Sequence, residues 1–318
     1  MKLISFDKIV NMNIPQKNVY EWVSEMILQK DKTVLPGKIS MKHKALDGVF
    51  CNVMPSFVYV GDKLYGGVKI VTRYPQRSPS LDSQLILFDG VSGEFLALMD
   101  ANWITAARTG AVAAHSIELL AKKDSKVLGM MGLGNVARAS MLQIAEVFDD
   151  RQFDVKLLKF GGEEILFKQR FEKYKNLNFS FVDTAEEMVD GSDIVLSAAT
   201  YLPNDVCADK YFKEGVLVLP VHTLGFTNCD LFFDKVFADD TDHVKDFKYF
   251  RNFKSFAEVS DVVNGRAGGR ENDRERILAY NIGLSIHDVN LAARIYESID
   301  KTSLTDINMN IPSDRLWV

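Results

Sequence analysis

The sequence predicts an α/β protein in which a doubly wound parallel sheet is joined to a second, discontinuous α+β domain. Three observations support this prediction. Apolar strands alternate with helices between residues 126 and 240, a glycine-rich turn follows the first of these strands, and the N-terminal third contains successive strands without helices between them. Apolar strands that alternate with helices are typical of a parallel sheet covered on both faces, here of the Rossmann type.

Length, composition and charge exclude several classes of protein. The 318 residues suffice for about two domains, and 47% hydrophobic with 25% charged residues is the balance of a soluble globular protein. A net charge of −5 without a basic stripe predicts no nucleic-acid partner and no membrane binding. The three cysteines show no CxxC spacing, which fits a cytoplasmic location and predicts no cysteine-based metal site.

The N-terminal third predicts a mainly antiparallel sheet. A short strand over 3–6 precedes a helix around 16–30, whose apolar residues recur at helical spacing. Strands follow over 50–60 and 64–74, and the turn Asp89-Gly90-Val91-Ser92-Gly93 joins two more strands as a hairpin. Successive strands of this kind pair antiparallel.

The remainder of the chain predicts the parallel sheet. An Ala-rich helix begins near residue 102, and six strands follow at 126–132, 155–160, 179–183, 193–199, 216–221 and 235–240. Helices are predicted at 135–148, 162–175 and 184–190. After a polar, glycine-rich stretch at 264–273, a final amphipathic helix near 283–298 is expected to pack back on the first domain. The predicted domain bounds are 1–118 with 285–318, and 119–284.

The turn Gly132-Leu133-Gly134-Asn135-Val136-Ala137 predicts a dinucleotide site. It follows an apolar strand and opens a helix, as the GxGxxG/A fingerprint requires. Gly132 would permit the tight turn, Gly134 would let the backbone approach the pyrophosphate, and the helix N-terminus would supply N–H donors. The expected cofactor is NAD or NADP, bound by Thr109, Gly132, Gly134, Asn135, Val136, Lys159, Ala199 and Thr200.

The end of the second parallel strand leaves the cofactor preference open. An NAD site usually carries an acidic residue there, which binds the ribose hydroxyls. This chain has Lys159 instead, which favours the extra phosphate of NADP(H), although a solvated lysine at a strand end is an equal alternative. Glu163 and Glu164 follow closely in the chain and could bind the ribose hydroxyls instead, so Lys159 does not decide between NAD and NADP.

A longer pattern resembles the ornithine cyclodeaminase/mu-crystallin family. The stretch from Asp100 to Ala111 reads DANWITAARTGA and resembles the family's D-x-x-x-[IL]-T-x-x-R-T-[AG]-A, placed shortly before the glycine turn. Three further segments agree in order, namely Val53-Met54-Pro55, Gly67-Val68-Lys69-Ile70-Val71 and Asn281-Ile282-Gly283-Leu284-Ser285-Ile286-His287-Asp288.

The resemblance implies a homodimer whose first domain provides the dimer interface and the pocket for a small amino-acid or imine substrate. By position, Lys69 and Arg108 match the family's ligands for the substrate carboxylate, and the earlier basic ligand corresponds to Lys38 or Lys42. Arginine forms a two-pronged pair with a carboxylate, and lysine is out of character in an apolar strand unless it faces a polar pocket. A structural salt bridge for Arg108 and an edge strand for Lys69 are the plain alternatives.

At two positions the sequence departs from the cyclodeaminases, and these departures argue against cyclodeaminase activity in particular. The family's acid before the Met-Pro element is absent, since residues 50–55 read FCNVMP. Phe226 and Thr227 stand where cyclodeaminases carry an Asp that is credited with acid–base work. Asp230 could take that role, although it aligns more naturally with a later acid of the family. Ring closure needs such an acid–base group, whereas hydride transfer does not.

The predicted function is therefore NAD(P)-dependent hydride transfer at the α-carbon of an amino acid or its imine. Ketimine reductases, amino-acid dehydrogenases and opine-type synthases are the classes considered. The candidate catalytic residues are Lys69, Asp230 and His222. His222 is included because it lies at the carboxyl end of a predicted parallel strand, where α/β sheets bind their ligands. The alternatives are an ornithine cyclodeaminase with catalytic NAD and a non-catalytic binding protein. Asp288 is expected to cap the last helix or to favour its dipole, and no metal is expected.

Overall fold

The fold is α/β, as predicted, and the chain divides into two compact units. The computed structural model describes residues 1–199, 202, 204–221 and 231–309. The first unit consists of Met1–Asn13, Thr33–Ile104 and Asp288–Val318, and the second of Ile14–Lys32 and Thr105–His287. The first unit is thus assembled from three separate stretches of the chain.

The strands and helices of the described residues are as follows. The strands are β1 (Lys2–Ile4), β2 (Ile39–Met41), β3 (Phe50–Val60), β4 (Lys63–Arg73), β5 (Leu81–Asp89), β6 (Phe95–Asp100), β7 (Val127–Met131), β8 (Phe153–Leu158), β9 (Leu177–Val182), β10 (Ile194–Ser197), β11 (Leu217–Pro220), β12 (Lys235–Ala238), β13 (Phe256–Glu258), β14 (Ile277–Tyr280) and β15 (Thr305–Asp306). The α-helices are α1 (Phe6–Val10), α2 (Gln16–Leu28), α3 (Asn102–Leu120), α4 (Asn135–Val147), α5 (Glu163–Arg170), α6 (Ala185–Val189), α7 (Val259–Val263) and α8 (Ser285–Ser298). Short 3-10 helices lie at Lys30–Lys32, Asp209–Tyr211, Thr241–His243, Phe250–Asn252 and Lys301–Ser303.

The first unit contains a mixed sheet with the order β15-β1-β6-β5-β4-β3-β2. From β2 to β6 each strand pairs antiparallel with the next, whereas β1 runs parallel to β6. The predicted hairpin joins β5 to β6, and Asp89 Oδ1 accepts hydrogen bonds from the backbone N–H groups of Val91 and Ser92. Because these hydrogen bonds join residues close in the chain, the local sequence is sufficient to predict the turn.

The two faces of this sheet differ in burial. Along β4 the side chains of Tyr65, Lys69 and Val71 are buried, whereas Val68 is half-buried and Ile70 is 42% exposed. On the buried side α8 lies against β4, because a Cβ on Gly67 would come within 2.7 Å of Val289. Glycine at this position therefore permits the close approach of helix and strand.

The second unit contains a parallel sheet with the order β13-β12-β14-β11-β10-β7-β8-β9. Six of these strands, β9-β8-β7-β10-β11-β14, reproduce the 3-2-1-4-5-6 order of a dinucleotide-binding sheet. The prediction identified 235–240 as the sixth strand, but that segment forms β12 and lies beyond β14. β14 escaped prediction because it has only four residues and follows a long polar stretch.

α2 belongs to the same unit as the parallel sheet, whereas the segment that precedes it belongs to the first unit. α2 packs on α4 and α7, and residues 14–32 therefore belong to the second unit. Residues 105–118 belong to this unit as well. The predicted bounds assigned both stretches to the first domain. Helical spacing shows that a helix has an apolar face but does not show which element covers that face.

The glycine-rich stretch after α7 is tied to the body of the second unit. The Arg270 guanidinium donates to the carbonyl oxygens of Leu120 at 2.7 Å and Glu275 at 2.6 Å. Lys235 pairs with Glu271 and Glu275 at 2.9 and 3.1 Å. Arg270 thus satisfies a carbonyl at the C-terminus of α3, where helices leave such groups unbonded.

We expect the second unit to lose stability in mild acid because of His115. This side chain of α3 is buried beside the ring of Tyr20, and burial lowers its pKa to about 4. Below the usual histidine value the unfolded chain binds a proton that the folded chain excludes, so stability is complete above about pH 6.5 and falls towards pH 4. The free energy of urea unfolding should drop by about 2 kcal/mol between neutral pH and pH 5 from this residue. A His115→Gln variant should lack that share of the pH dependence, and an unchanged dependence would contradict the assignment.

Candidate functional site

The predicted glycine turn joins β7 to α4 in the second unit. Gly132 has φ +75°, and a Cβ added to it would overlap the backbone of Ala198 and Ala199. A side chain is therefore excluded both by the backbone conformation and by the segment that follows β10. Gly132 fixes the tight turn that the fingerprint requires.

Gly134 serves a different purpose at the start of α4. It precedes the helix with φ −76°, which any residue can adopt, and a Cβ there would meet no atom within 4 Å. The missing side chain consequently leaves the backbone open to close approach from outside. Ala137, in the first turn, is fully buried. The N-terminus of this 13-residue helix supplies backbone N–H donors and a favourable dipole for an anion.

A cleft of about 820 Å³ opens at the carboxyl edge of the parallel sheet. Four of the predicted cofactor residues line it, namely Gly132, Gly134, Lys159 and Ala199. Its other walls include the apolar side chains Leu158, Phe160, Leu202 and Val206 and the acidic residues Glu163 and Asp205. This position is where open α/β sheets bind their ligands.

The other predicted cofactor residues have different surroundings. Asn135 and Val136 form the first turn of α4. Thr109 is buried in α3, where its hydroxyl donates to the carbonyl of Thr105 at 2.7 Å. Thr200 lies outside the described residues.

Lys159, directly after β8, is paired with an acid. Its Nζ lies 2.8 Å from Asp183 Oδ1, and this hydrogen bond is the main reason that the pKa of Lys159 is raised. Asp183 directly follows β9, the parallel neighbour of β8, so the two residues emerge side by side at the same edge of the sheet.

Lys69 lies on the buried face of the first unit's sheet. Its side chain is fully buried, and Nζ lies 2.7 Å from Asp288 Oδ2, whose side chain is fully buried as well. β4 is bordered by β3 and β5, so the edge-strand alternative for Lys69 is wrong. A buried ammonium is costly unless it is paired, and Asp288 provides the pairing charge.

Asp288 is the residue of this region whose importance the sequence reasoning missed. The sequence predicts that it caps the last helix or favours its dipole, and it does lie in the first turn of α8. It also pairs with Lys69 on a strand that lies more than two hundred positions earlier in the chain. The segment Gly283–Asp288 is part of the family resemblance, but nothing in its spacing predicts a contact with Lys69. The close approach of α8 at Gly67 brings the two residues together.

Arg108 is buried in the second turn of α3, in the second unit. Its guanidinium lies against Gly283, so closely that a Cβ on Gly283 would overlap it. Gly283 has φ +97°, and its N–H donates to Asp239 Oδ2. Burial by itself raises the pKa of Asp239, but His243 and the Gly283 N–H outweigh it and lower the pKa. Asp239 thus anchors the glycine against which Arg108 rests.

The remaining candidates are less defined. Lys38 is half-buried directly before β2 in the first unit, while His222 and Asp230 lie outside the described residues. Within the described ranges, no group of three or more His, Cys, Asp or Glu side chains is placed to hold a metal ion. None of the helices in these ranges is long and apolar enough to cross a membrane.

Comparisons with known proteins agree with this architecture. The sequence is 26% identical over 310 residues to Delta(1)-pyrroline-2-carboxylate reductase of Bacillus cereus, which covers 91% of this chain and 93% of that protein. The structure of Thermococcus litoralis Delta(1)-pyrroline-2-carboxylate reductase in complex with NADH and L-proline superposes with a TM-score of 0.84. It is 25% identical and covers 96% of this chain and all of that one.

A second solved structure, an archaeal alanine dehydrogenase dimer with bound NAD, has a TM-score of 0.85 at 22% identity. It covers 98% of this chain and 99% of its own. The model of the ornithine cyclodeaminase/mu-crystallin family matches residues 10–303. With nearly the whole chain matched, and with the glycine turn and the parallel sheet in place, this chain belongs to the ornithine cyclodeaminase/mu-crystallin family.

Proposed function

We propose that this chain is an NAD(P)-dependent oxidoreductase that transfers hydride at the α-carbon of an amino acid or its imine. The observation that supports this most strongly is the glycine turn at the mouth of the 820 Å³ cleft, in a chain whose relative from Bacillus cereus is a reductase of a cyclic imine. Ketimine reductase, amino-acid dehydrogenase and opine-type synthase are the classes that fit.

The residues of the cleft fit a nicotinamide dinucleotide. Gly132 admits no side chain, Gly134 leaves its backbone open, and the N-terminus of α4 favours a pyrophosphate. Gly132, Gly134, Asn135 and Val136 would hold the pyrophosphate, and Ala199 would border the cofactor. When bound, the reduced cofactor supplies the hydride.

The protein's own part in the reaction is to bind and orient the substrate. Arg108 would form a two-pronged pair with the α-carboxylate, and Lys69 and Lys38 would add positive charge around it. Asp288 holds the Lys69 ammonium in one place, and Gly283 supports the Arg108 guanidinium. Fixed charges that orient a substrate contribute a large share of what hydride transfer requires from a protein.

The test follows the absorbance of the reduced nicotinamide while the purified protein is offered cyclic imines and mixtures of 2-oxo acids with amines. Oxidation of NADH or NADPH that depends on the imine supports the proposal and narrows the substrate. Ammonia and proline formed from L-ornithine with NAD⁺, without net reduction of the cofactor, would replace it with the cyclodeaminase activity. Binding of a dinucleotide without either reaction would leave a binding protein.

We also propose that the protein is a homodimer joined through the outer face of the first unit's sheet. Five apolar residues face one another across adjacent strands there, in the register Leu3–Leu98–Ile86–Val68–Pro55. None of the five is buried in the single chain, and Leu3 is 40% exposed. A contiguous apolar face of this kind usually marks an interface.

Replacing Val68 with Asp is expected to convert the dimer into a monomer in light scattering after size exclusion. Val68 lies inside the row, on β4 between Ile86 and Pro55, and two copies of a buried unpaired carboxylate would oppose self-association across a twofold axis. Lys63→Asp, at the exposed start of the same strand, is the matched control and should remain dimeric. A wild-type monomer at micromolar concentration, or a dimeric Val68→Asp protein, would contradict the proposed interface.

A further inference from the structure

Acidic side chains lie near Lys159, after β8, where a dinucleotide fold usually binds the ribose. Among the described residues that line the cleft, the ionisable side chains are Lys159, Glu163 and Asp205, of which Lys159 is the one cation. Between Lys159 and Glu163 lie Phe160, which is 74% exposed, and two glycines with φ +59° and +91°. A Cβ on either glycine would meet nothing within 4 Å, so the backbone at this corner is open to a ligand.

The positive charge of Lys159 is already matched by neighbouring acids. Its ammonium donates to Asp183 at 2.8 Å, and Glu164 and Glu187 lie near enough to raise its pKa further. Both of these acids are anchored by backbone N–H groups, Glu164 by that of Phe160 and Glu187 by that of Asp183, each at 2.9 Å. The acids are therefore held in place around the lysine rather than free to turn away.

Glu163 adds to this arrangement at the cleft wall. It begins α5, and its Oε2 lies 3.3 Å from the Arg138 guanidinium, so this nearby cation is also engaged by an acid. Four acids, Asp183, Glu163, Glu164 and Glu187, thus lie around the two cations Lys159 and Arg138. Asp205 adds a further carboxylate to the lining of the cleft. A phosphomonoester carries close to two negative charges at neutral pH, whereas a ribose diol is neutral and donates hydrogen bonds to carboxylates.

We infer that this cleft selects NAD(H) over NADP(H), and that the Lys159–Asp183 ion pair is the device that makes the selection. Asp183 withholds the lysine from a 2′-phosphate, and Glu163 is placed to accept from the ribose hydroxyls. The inference rests on the proposed function, whose dinucleotide it specifies. It departs from the plain expectation for a lysine after the second strand, because the structure supplies a partner that the sequence does not reveal.

Isothermal titration calorimetry of the whole protein with NADH and with NADPH tests the inference without relying on turnover. We expect NADH to bind at least about 10-fold more tightly than NADPH, which corresponds to about 1.4 kcal/mol. Asp183→Asn should release Lys159 and tighten NADPH binding about 10-fold while NADH affinity changes little. The Asp183 side chain is 71% exposed, so the variant should fold normally.

Two further variants separate release of the lysine from a general change of charge. The double variant Asp183→Asn with Lys159→Met should lose the gained NADPH affinity. Asp154→Asn removes an equal charge at the opposite end of β8, where Asp154 accepts from Asn178, and should leave both affinities unchanged.

The outcomes also distinguish this inference from the function on which it rests. Equal or tighter binding of NADPH by the wild-type protein, or an Asp183→Asn variant with unaltered preference, would overturn the selection by Asp183 while the oxidoreductase proposal stands. If neither dinucleotide binds, the proposed function itself is contradicted.

Discussion

Lys69→Met is expected to lower kcat/KM for an imine or amino-acid substrate by about 10²–10³-fold while NADH still binds. The variant removes one of the charges proposed to hold the substrate, and methionine fills a similar volume. It also removes the ammonium that neutralises the buried carboxylate of Asp288, which should cost about 3–5 kcal/mol of folding free energy. Loss of activity alone would therefore not separate a role in binding from a role in stability.

The double variant Lys69→Met with Asp288→Leu makes that separation. Removing both members of a buried ion pair is often neutral for stability, because neither charge then remains unpaired. We expect the double variant to regain most of the thermal stability that the single variant loses, to bind NADH in calorimetry, and to remain inactive. Lys63→Met on the same strand breaks only an exposed pair with Glu297 and should change stability by less than about 1 kcal/mol, with full turnover. A double variant that recovers both stability and turnover would show that Lys69 serves the fold rather than the reaction.

Lys69 and the glycine turn differ in how well the sequence predicts their surroundings. Gly132 and Gly134 act within one strand–turn–helix unit, so their spacing already contains the relevant geometry, and the structure places both at the cleft. The Lys69–Asp288 pair joins β4 to α8 through a contact that no local pattern encodes. The same holds for the ion pair of Lys159 with Asp183, which depends on the neighbouring positions of β8 and β9.

The strands follow the same rule. The predicted bounds of β3 are those of the structure, because eight of its eleven residues are apolar or aromatic and give a strong local signal. β14 has four residues and was missed, although it is central enough to pair with both β11 and β12. A buried position in a sheet is decided by the strands on either side, and these are distant in the chain.

Arg108→Gln is expected to raise KM about 100-fold for a substrate that carries an α-carboxylate, because a buried guanidinium–carboxylate pair is lost. The effect should be specific for the carboxylate. For a cyclic imine that lacks this group, kcat/KM should be as low for the wild-type protein as for the variant. Steady-state kinetics with the two imines and both proteins measures this coupling directly, and calorimetry with NADH confirms that the cofactor site is intact. Equal losses with both imines would assign Arg108 to the structure of the site instead.

Gly283→Ala should reproduce part of this defect without touching the arginine. The added methyl group would displace the guanidinium that now lies against Gly283, and φ +97° strains any residue with a side chain. Gly61→Ala provides the matched control, since Gly61 also has positive φ, +60°, but lies in an open turn where a Cβ meets nothing within 4 Å. Both variants should lose stability through strain of about 1–2 kcal/mol, and Gly283→Ala alone should raise KM for the carboxylated imine. The same KM for both variants would mean that Gly283 does not position Arg108.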